Sequence, residues 1–278
     1  MMNKYRIALA QIHSYLGNVE LNFKKHISYI ERAREKGAKI IVFPELSLTG
    51  YLLKDLVYEV SRKCEEKIEL LKDYSKDICV IIGVVEEYRI GIYRNSMAVL
   101  CDGELKGYIP KLYLPNYGLF EEGRYYQEGD VKSIKVFSYE GLNFGIVICE
   151  DAWHPEPIEL LARMGADVVF IAASSPLRGL YGMDETSIEK IWESINVTRA
   201  IENTIFIGFV NKVEVEDEEY FWGGSMFVLP DGKIVVRALK MEEDLLIADI
   251  DYHILRKARR FSSFKVFRRD LNMRLGEL

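Results

Sequence analysis

Three residues able to carry acid–base and nucleophilic chemistry stand where apolar, strand-like runs end. Cys149 closes Phe144-Gly145-Ile146-Val147-Ile148 and opens the polar string Glu150-Asp151-Ala152-Trp153. Glu45 ends Ile40-Ile41-Val42-Phe43-Pro44, and Lys111 follows Gly107-Tyr108-Ile109-Pro110. Strand exits are where an α/β sheet presents its reactive groups. A carboxylate can move a proton, an ammonium can steady an oxyanion, and a thiolate can attack a carbonyl carbon. Together they are the parts for cleaving a carbon–nitrogen bond through a covalent thioester. Singly, each has a blander account: a cysteine ending an apolar run is usually an inert buried thiol, and a Glu or Lys after proline is usually surface charge.

The segments around the three residues resemble the nitrilase superfamily of carbon–nitrogen hydrolases, whose active site is a Glu-Lys-Cys set. Phe43-Pro44-Glu45-Leu46-Ser47-Leu48-Thr49-Gly50-Tyr51 resembles the family's glutamate segment. The run from Pro110-Lys111-Leu112 through Leu114-Pro115-Asn116-Tyr117 to Phe120-Glu121-Glu122 resembles its lysine segment, and Ile148 to Trp153 its nucleophile segment. Arg199 to Asn203 and Trp222 to Phe227 look like later structural motifs, so the likeness runs from Ile7 to about Asp251. The string Leu114 to Glu122, and Leu48 to Tyr51 followed by Asp55-Leu56, are most similar to the glutaminase part of glutamine-dependent NAD synthetases. In those enzymes this part frees ammonia from glutamine for a separate ATP-using part. The Ser-Gly-Gly-x-Asp-Ser loop of that second part does not occur in this sequence.

The resemblance implies a four-layer α-β-β-α sandwich and cofactor-independent amide hydrolysis without a metal. It makes Cys149 the nucleophile and Glu45 the general base. Lys111 would hold the oxyanion together with the backbone N–H of Glu150. Glu122 resembles a further glutamate that holds the lysine, with Glu121 as the competing candidate. Tyr51, Tyr117 and Trp153 become candidate pocket walls by motif position, although isolated aromatics are more often core. Ser175, in Ser174-Ser175-Pro176, would belong to a substrate-side loop, while Leu177 to Tyr181 depart from the usual glutaminase pattern. The expected substrate is glutamine or a related ω-amide; a nitrilase-like amidase, carbamoylase or nitrilase, or a regulatory module that kept only the fold, are the alternatives.

Composition sets the frame for such an enzyme. With 278 residues, 49% of them hydrophobic, the chain can bury a sizeable core as one domain, with a C-terminal arm from about residue 252. No apolar stretch approaches the roughly 18 residues of a membrane span, and the N-terminus lacks a signal-peptide layout. A net charge of −6 argues against nonspecific nucleic-acid binding. Cys64, Cys79, Cys101 and Cys149 show no paired spacing, which fits a reducing cytoplasm. His13, His26, His154 and His253 make no metal-ligand spacing, and there is neither a Gly-x-Ser-x-Gly elbow nor a Gly-rich phosphate loop. The acidic run Glu214 to Glu219 reads as a solvated loop. Phe261, Phe264, Val266 and Phe267 interleave with basic residues that include Arg256, Lys257, Arg259, Arg260, Arg268 and Arg269, which predicts docking on a second copy of the chain.

The elements that must position these residues alternate strand with helix. Tyr5 to Ile12 reads as a strand, and Asn18 caps a helix to about Lys36 that Gly37 stops. Buried strands are expected at Lys39 to Phe43 and Ile78 to Val85, with a helix over Leu56 to Leu71 between them. A hairpin around Asp102-Gly103 joins Asn95–Leu100 to Glu104–Ile109. Helices at Pro157 to Met164 and Thr186 to Asn203 separate strands at Val168 to Ala172 and Ile205 to Val210. A second hairpin surrounds Pro230-Asp231-Gly232. Many strands with intervening helices predict two sheets packed face to face.

Overall fold

The computed structural model describes residues 4–177 and 187–261. The first half contains β1 (Lys4–Gln11), α1 (Val19–Glu35), β2 (Ile40–Val42), α2 (Val57–Tyr74), β3 (Cys79–Arg89), β4 (Ile92–Cys101) and β5 (Glu104–Pro110). The middle holds α3 (Glu122–Tyr125), β6 (Phe137–Tyr139), β7 (Leu142–Ile148), α4 (Pro155–Arg163), β8 (Val168–Ala173), α5 (Ser187–Asn203) and β9 (Phe206–Asn211). The last part comprises β10 (Val213–Glu216), β11 (Glu219–Trp222), β12 (Met226–Val228), β13 (Ile234–Arg237), β14 (Asp244–Asp251) and α6 (Tyr252–Phe261).

Two six-stranded sheets carry the molecule, in the orders β14-β1-β2-β3-β4-β5 and β13-β12-β9-β8-β7-β6. Strand alternation sorts the side chains into layers. Ile7 and Leu9 of β1 join the core between the sheets, whereas Ala8 and Ala10 join the core under α1 and α2. On the second sheet α4 packs on β7 and β8, and α5 on β9 and β12. The result is the expected α-β-β-α order of layers. Each fully buried aliphatic side chain such as Leu9 contributes about 1.5–3 kcal/mol, so the inter-sheet core is the main source of rigidity beneath the strand exits.

The expected elements form, with shifted ends. Asn18 caps α1, its side chain accepting the Leu21 N–H at 3.1 Å. Two pairings lie outside the sequence expectation. β14 runs antiparallel to β1 over its whole length, from Lys4 opposite Asp251 to Gln11 opposite Asp244. Part of the acidic run forms the β10–β11 hairpin, where Glu216 is buried against Lys212 at 2.6 Å. That residue is not solvated, because the hairpin turns it inward onto a buried ammonium.

Cysteine usage also needs correction. Cys79 and Cys101 form a disulfide across β3 and β4, with a Cα–Cα distance of 4.3 Å. The register that places Val80 opposite Leu100 brings the two together, and no short sequence spacing could announce that. Cysteine usage therefore no longer points to a reducing compartment. No described helix is long and apolar enough to cross a membrane. The described part of the arm, α6, docks on the sandwich through buried Leu255 and an Arg259–Asp167 ion pair at 3.0 Å, and leaves Phe261 exposed. Phe264, Val266 and Phe267 lie outside the described residues, as do residues 178–186.

Candidate functional site

Glu45 follows β2 on a turn that lies directly on β3. The turn closes through a left-handed Leu46, at φ 47°. It fits because residue 83 is glycine: a Cβ there would stand 2.3 Å from the Leu46 nitrogen and 2.4 Å from the Pro44 oxygen. Leu48 N–H donates to the Gly83 carbonyl at 3.0 Å, and Gly83 N–H to Ser47 Oγ at 3.3 Å. Buried His26 lies against the same hydroxyl, 3.0 Å away, with burial pushing its pKa down to about 4. The carboxylate is then gripped from both sheets. Its Oε1 accepts from Lys111 Nζ at 2.6 Å and Asn95 Nδ2 at 2.8 Å, and its Oε2 accepts the Ser174 N–H at 2.8 Å.

Lys111 leaves β5 fully buried, its own N–H held by the Asn95 carbonyl at 2.8 Å. Its ammonium donates to Glu45 Oε1 and to Glu122 Oε1, each at 2.6 Å. Burial opposes the charge, but the two carboxylates outweigh it and hold the lysine pKa well above its ordinary value. Glu122 opens α3 and also accepts the Tyr51 hydroxyl at 2.5 Å. Burial raises its pKa to about 7, against the lowering pull of Lys111. Glu121, the rival position, caps α3 from outside the buried set.

Cys149 begins a 3-10 turn after β7 with φ at 45°, a conformation costly for a non-glycine residue. The turn lifts the thiol off the strand and into the field of Glu45, Lys111 and Glu122. Burial, then Glu45, pushes the thiol pKa well above its usual value, with Lys111 opposing. Asp151 holds this turn. Its Oδ1 accepts the N–H groups of Leu112 and Tyr113, both at 2.9 Å, and its Oδ2 accepts that of Ile148 at 3.0 Å. One buried carboxylate thus ties the lysine segment to the nucleophile segment, and burial raises its pKa to about 7 despite those three donors.

The other expected residues divide between the site and its supports. Tyr117 donates its hydroxyl to Glu150 Oε2 at 2.8 Å, and both line a cleft of about 390 Å³ with Tyr113, Asn116, Glu128 and His154. Tyr51 sits inside, edge-on to Phe120 at 6.2 Å and Phe221 at 6.2 Å. Trp153 packs edge-on to Trp192 at 5.8 Å, and its carbonyl accepts from Arg199 at 3.1 Å. Ser175 is buried, accepting from Trp192 Nε1 at 2.8 Å and donating its N–H to Asn211 at 2.9 Å. It is the neighbouring Ser174 that touches Glu45, through its N–H and through Oγ on the Glu45 carbonyl at 2.8 Å. Asn95, Asp151, Lys212 and Glu216 have no role assigned from the sequence, and Ser174 stands there only beside Ser175 in the expected substrate-side loop. The one available signal was polar residues inside apolar runs, as in Asn95-Ser96 within β4.

Against known proteins, the Carbon-nitrogen hydrolase family profile matches residues 6–260. The chain is 34% identical over 249 residues to the glutamine-dependent NAD(+) synthetase of Aquifex aeolicus, covering 88% of this chain and 42% of that protein. The corresponding protein of Acinetobacter baylyi is 30% identical over 252 residues, 90% of this chain and 45% of its own length. The chain thus spans less than half the length of these relatives. The solved glutamine-dependent NAD+ synthetase of Acinetobacter baumannii superposes with a TM-score of 0.83 at 33% identity, over 91% of this chain and 46% of that one. A carbon-nitrogen hydrolase from Helicobacter pylori shares the fold over 98% of both chains, with a TM-score of 0.89 at 23% identity.

Proposed function

Because this chain belongs to the carbon-nitrogen hydrolase family, we propose that it hydrolyses the carboxamide of glutamine or a related ω-amide to acid and ammonia through a thioester on Cys149. The observation that carries the reading is a fully buried Lys111 gripped by Glu45 and Glu122, with the Cys149 thiol in the same field at the end of β7.

A thiol whose pKa stands well above its usual value rests protonated, so attack requires a base in the same step. Glu45 takes the thiol proton as the sulfur–carbon bond forms. The oxyanion that results is held by Lys111 and the Glu150 N–H. Glu45 then passes the proton to nitrogen as the carbon–nitrogen bond breaks and ammonia leaves. A water molecule attacks the thioester, with Glu45 taking its proton, and the acid departs as the thiol is restored. One oxyanion donor is typically worth about 3–4 kcal/mol in the transition state. The Glu150 carboxylate, held by Tyr117 one residue beyond the nucleophile, suits the ammonium of an amino-acid substrate.

The likeness to glutamine-dependent synthetases, over less than half their length, supports a further proposal: the ammonia is consumed by a separate ATP-using synthetase. Ammonia release from glutamine, asparagine, other ω-amides, carbamoyl compounds and nitriles tests the substrate, without ATP. Glutamine or an ω-amide should be the fastest. Nitriles or carbamoyl amines outrunning every carboxamide would overturn the reading.

A further inference from the structure

Behind Tyr51 lies a second buried charge pair that takes no part in the chemistry above. Lys212, just after β9, and Glu216, ending β10, are both buried and meet at 2.6 Å. The lysine also donates to the Ser14 carbonyl at 3.3 Å. Glu216 Oε2 serves the lysine, while Oε1 accepts the N–H groups of Tyr51 at 2.7 Å and Leu52 at 2.6 Å. The fit is close: a Cβ on Gly50, whose φ is +84°, would stand 2.8 Å from Glu216 Oε2. At its other end Tyr51 donates its hydroxyl to Glu122, which shares the Lys111 ammonium with Glu45.

A buried ion pair is a poor way to add stability, because desolvation offsets most of the attraction. What this pair supplies is an acceptor at a defined point on the backbone. We propose that Lys212 and Glu216 are positioning residues for the reaction: they hold the Tyr51 backbone so that its hydroxyl keeps Glu122 on Lys111. Lys212 holds the Glu216 carboxylate in place at 2.6 Å, and Glu216 places Tyr51. This rests on the catalytic reading of Glu45, Lys111 and Cys149.

The test compares two uncharged replacements of the pair. Lys212→Met/Glu216→Gln keeps an acceptor for the Tyr51 and Leu52 N–H groups, and Lys212→Met/Glu216→Met removes it. Both relieve the buried charges together, so both should fold. Two rates are read: turnover of the fastest amide, and alkylation of Cys149 by iodoacetamide, followed by the mass of its peptide. The Gln version should regain most of the wild-type rates. The Met version should lose about 10- to 100-fold, the scale of a misplaced catalytic group. In a Tyr51→Phe background, the two should become equal, since the hydroxyl that transmits the effect is gone. Equal rates in the wild-type background, or the same loss with and without the hydroxyl, would overturn the proposal. If the Met version does not fold, Gly50→Ala takes its place with both charges kept; its Cβ presses on Glu216 Oε2 and on the Leu16 backbone, each at 2.8 Å, and the Tyr51→Phe background again isolates the part carried by the hydroxyl. Absent amide turnover in the wild-type protein would count against the proposed substrate alone, because alkylation still reads the positioning of the site.

Discussion

Replacing Asp151 by asparagine isolates the energetic cost of the carboxylate that joins the lysine and nucleophile segments. The side chain is fully buried and accepts three backbone N–H groups. Burial raises its pKa from 3.8 to about 7. A raised folded-state pKa means that the folded protein holds the proton more tightly than the unfolded chain. Its stabilising contribution is therefore complete below the unfolded value and is lost as pH rises through about 7. Roughly two of those units lie between about pH 5 and 7, worth about 2.7 kcal/mol at 1.36 kcal/mol per unit. Asparagine does not titrate, and it keeps the two bonds to Oδ1 while opposing an NH2 to the Ile148 N–H. The variant should be less stable than wild type by about 1–3 kcal/mol for that unmet donor near pH 5. Its deficit should shrink by about 2–3 kcal/mol by pH 8, since only wild type then carries the buried charge. Urea unfolding of both proteins at the two pH values gives the difference, in which groups common to both cancel. A deficit that does not change with pH would refute the argument, since the three donors would then keep Asp151 ionised throughout.

Five further outcomes are expected. Cys149→Ala should fold and show no turnover, and Glu45→Gln should lose about 10²-fold or more in kcat; near-normal rates in steady-state assays would move the nucleophile or base elsewhere. Gly83→Ala should destabilise by about 1–3 kcal/mol and lower activity together, because its Cβ would meet the Leu46 nitrogen at 2.3 Å; unchanged activity would free Glu45 from its dependence on β3. Alkylation of denatured, unreduced protein should label two cysteines by mass, Cys64 and Cys149, and four after reduction. Light scattering should find a homo-oligomer that falls apart when the chain is cut after Asp251; a strictly monomeric intact protein would refute that proposal.

Much of this protein is legible along the chain because the residues proposed to react sit at strand exits, where an apolar run stops and a polar one starts. Ile40 to Glu45, Gly107 to Lys111 and Phe144 to Cys149 announce both the strand and the residue it presents, since period and polarity are local properties. Asn18, Asp102-Gly103 and Pro230-Asp231-Gly232 are likewise local signals of a cap and two turns. What stayed hidden depends on groups far apart in sequence meeting in a medium of low dielectric. Asp151 looks like any acid in a turn until Leu112 and Tyr113 are folded over it. Glu216 looks like one member of a solvated run until the hairpin carries it to Lys212 and Tyr51. Cys79 and Cys101 become partners only through the register of β3 on β4. Residue types and spacing determined which chemistry this chain could perform. Only the tertiary structure decided which charges are buried together, because their pKa values and hydrogen bonds exist only once water has been excluded around them.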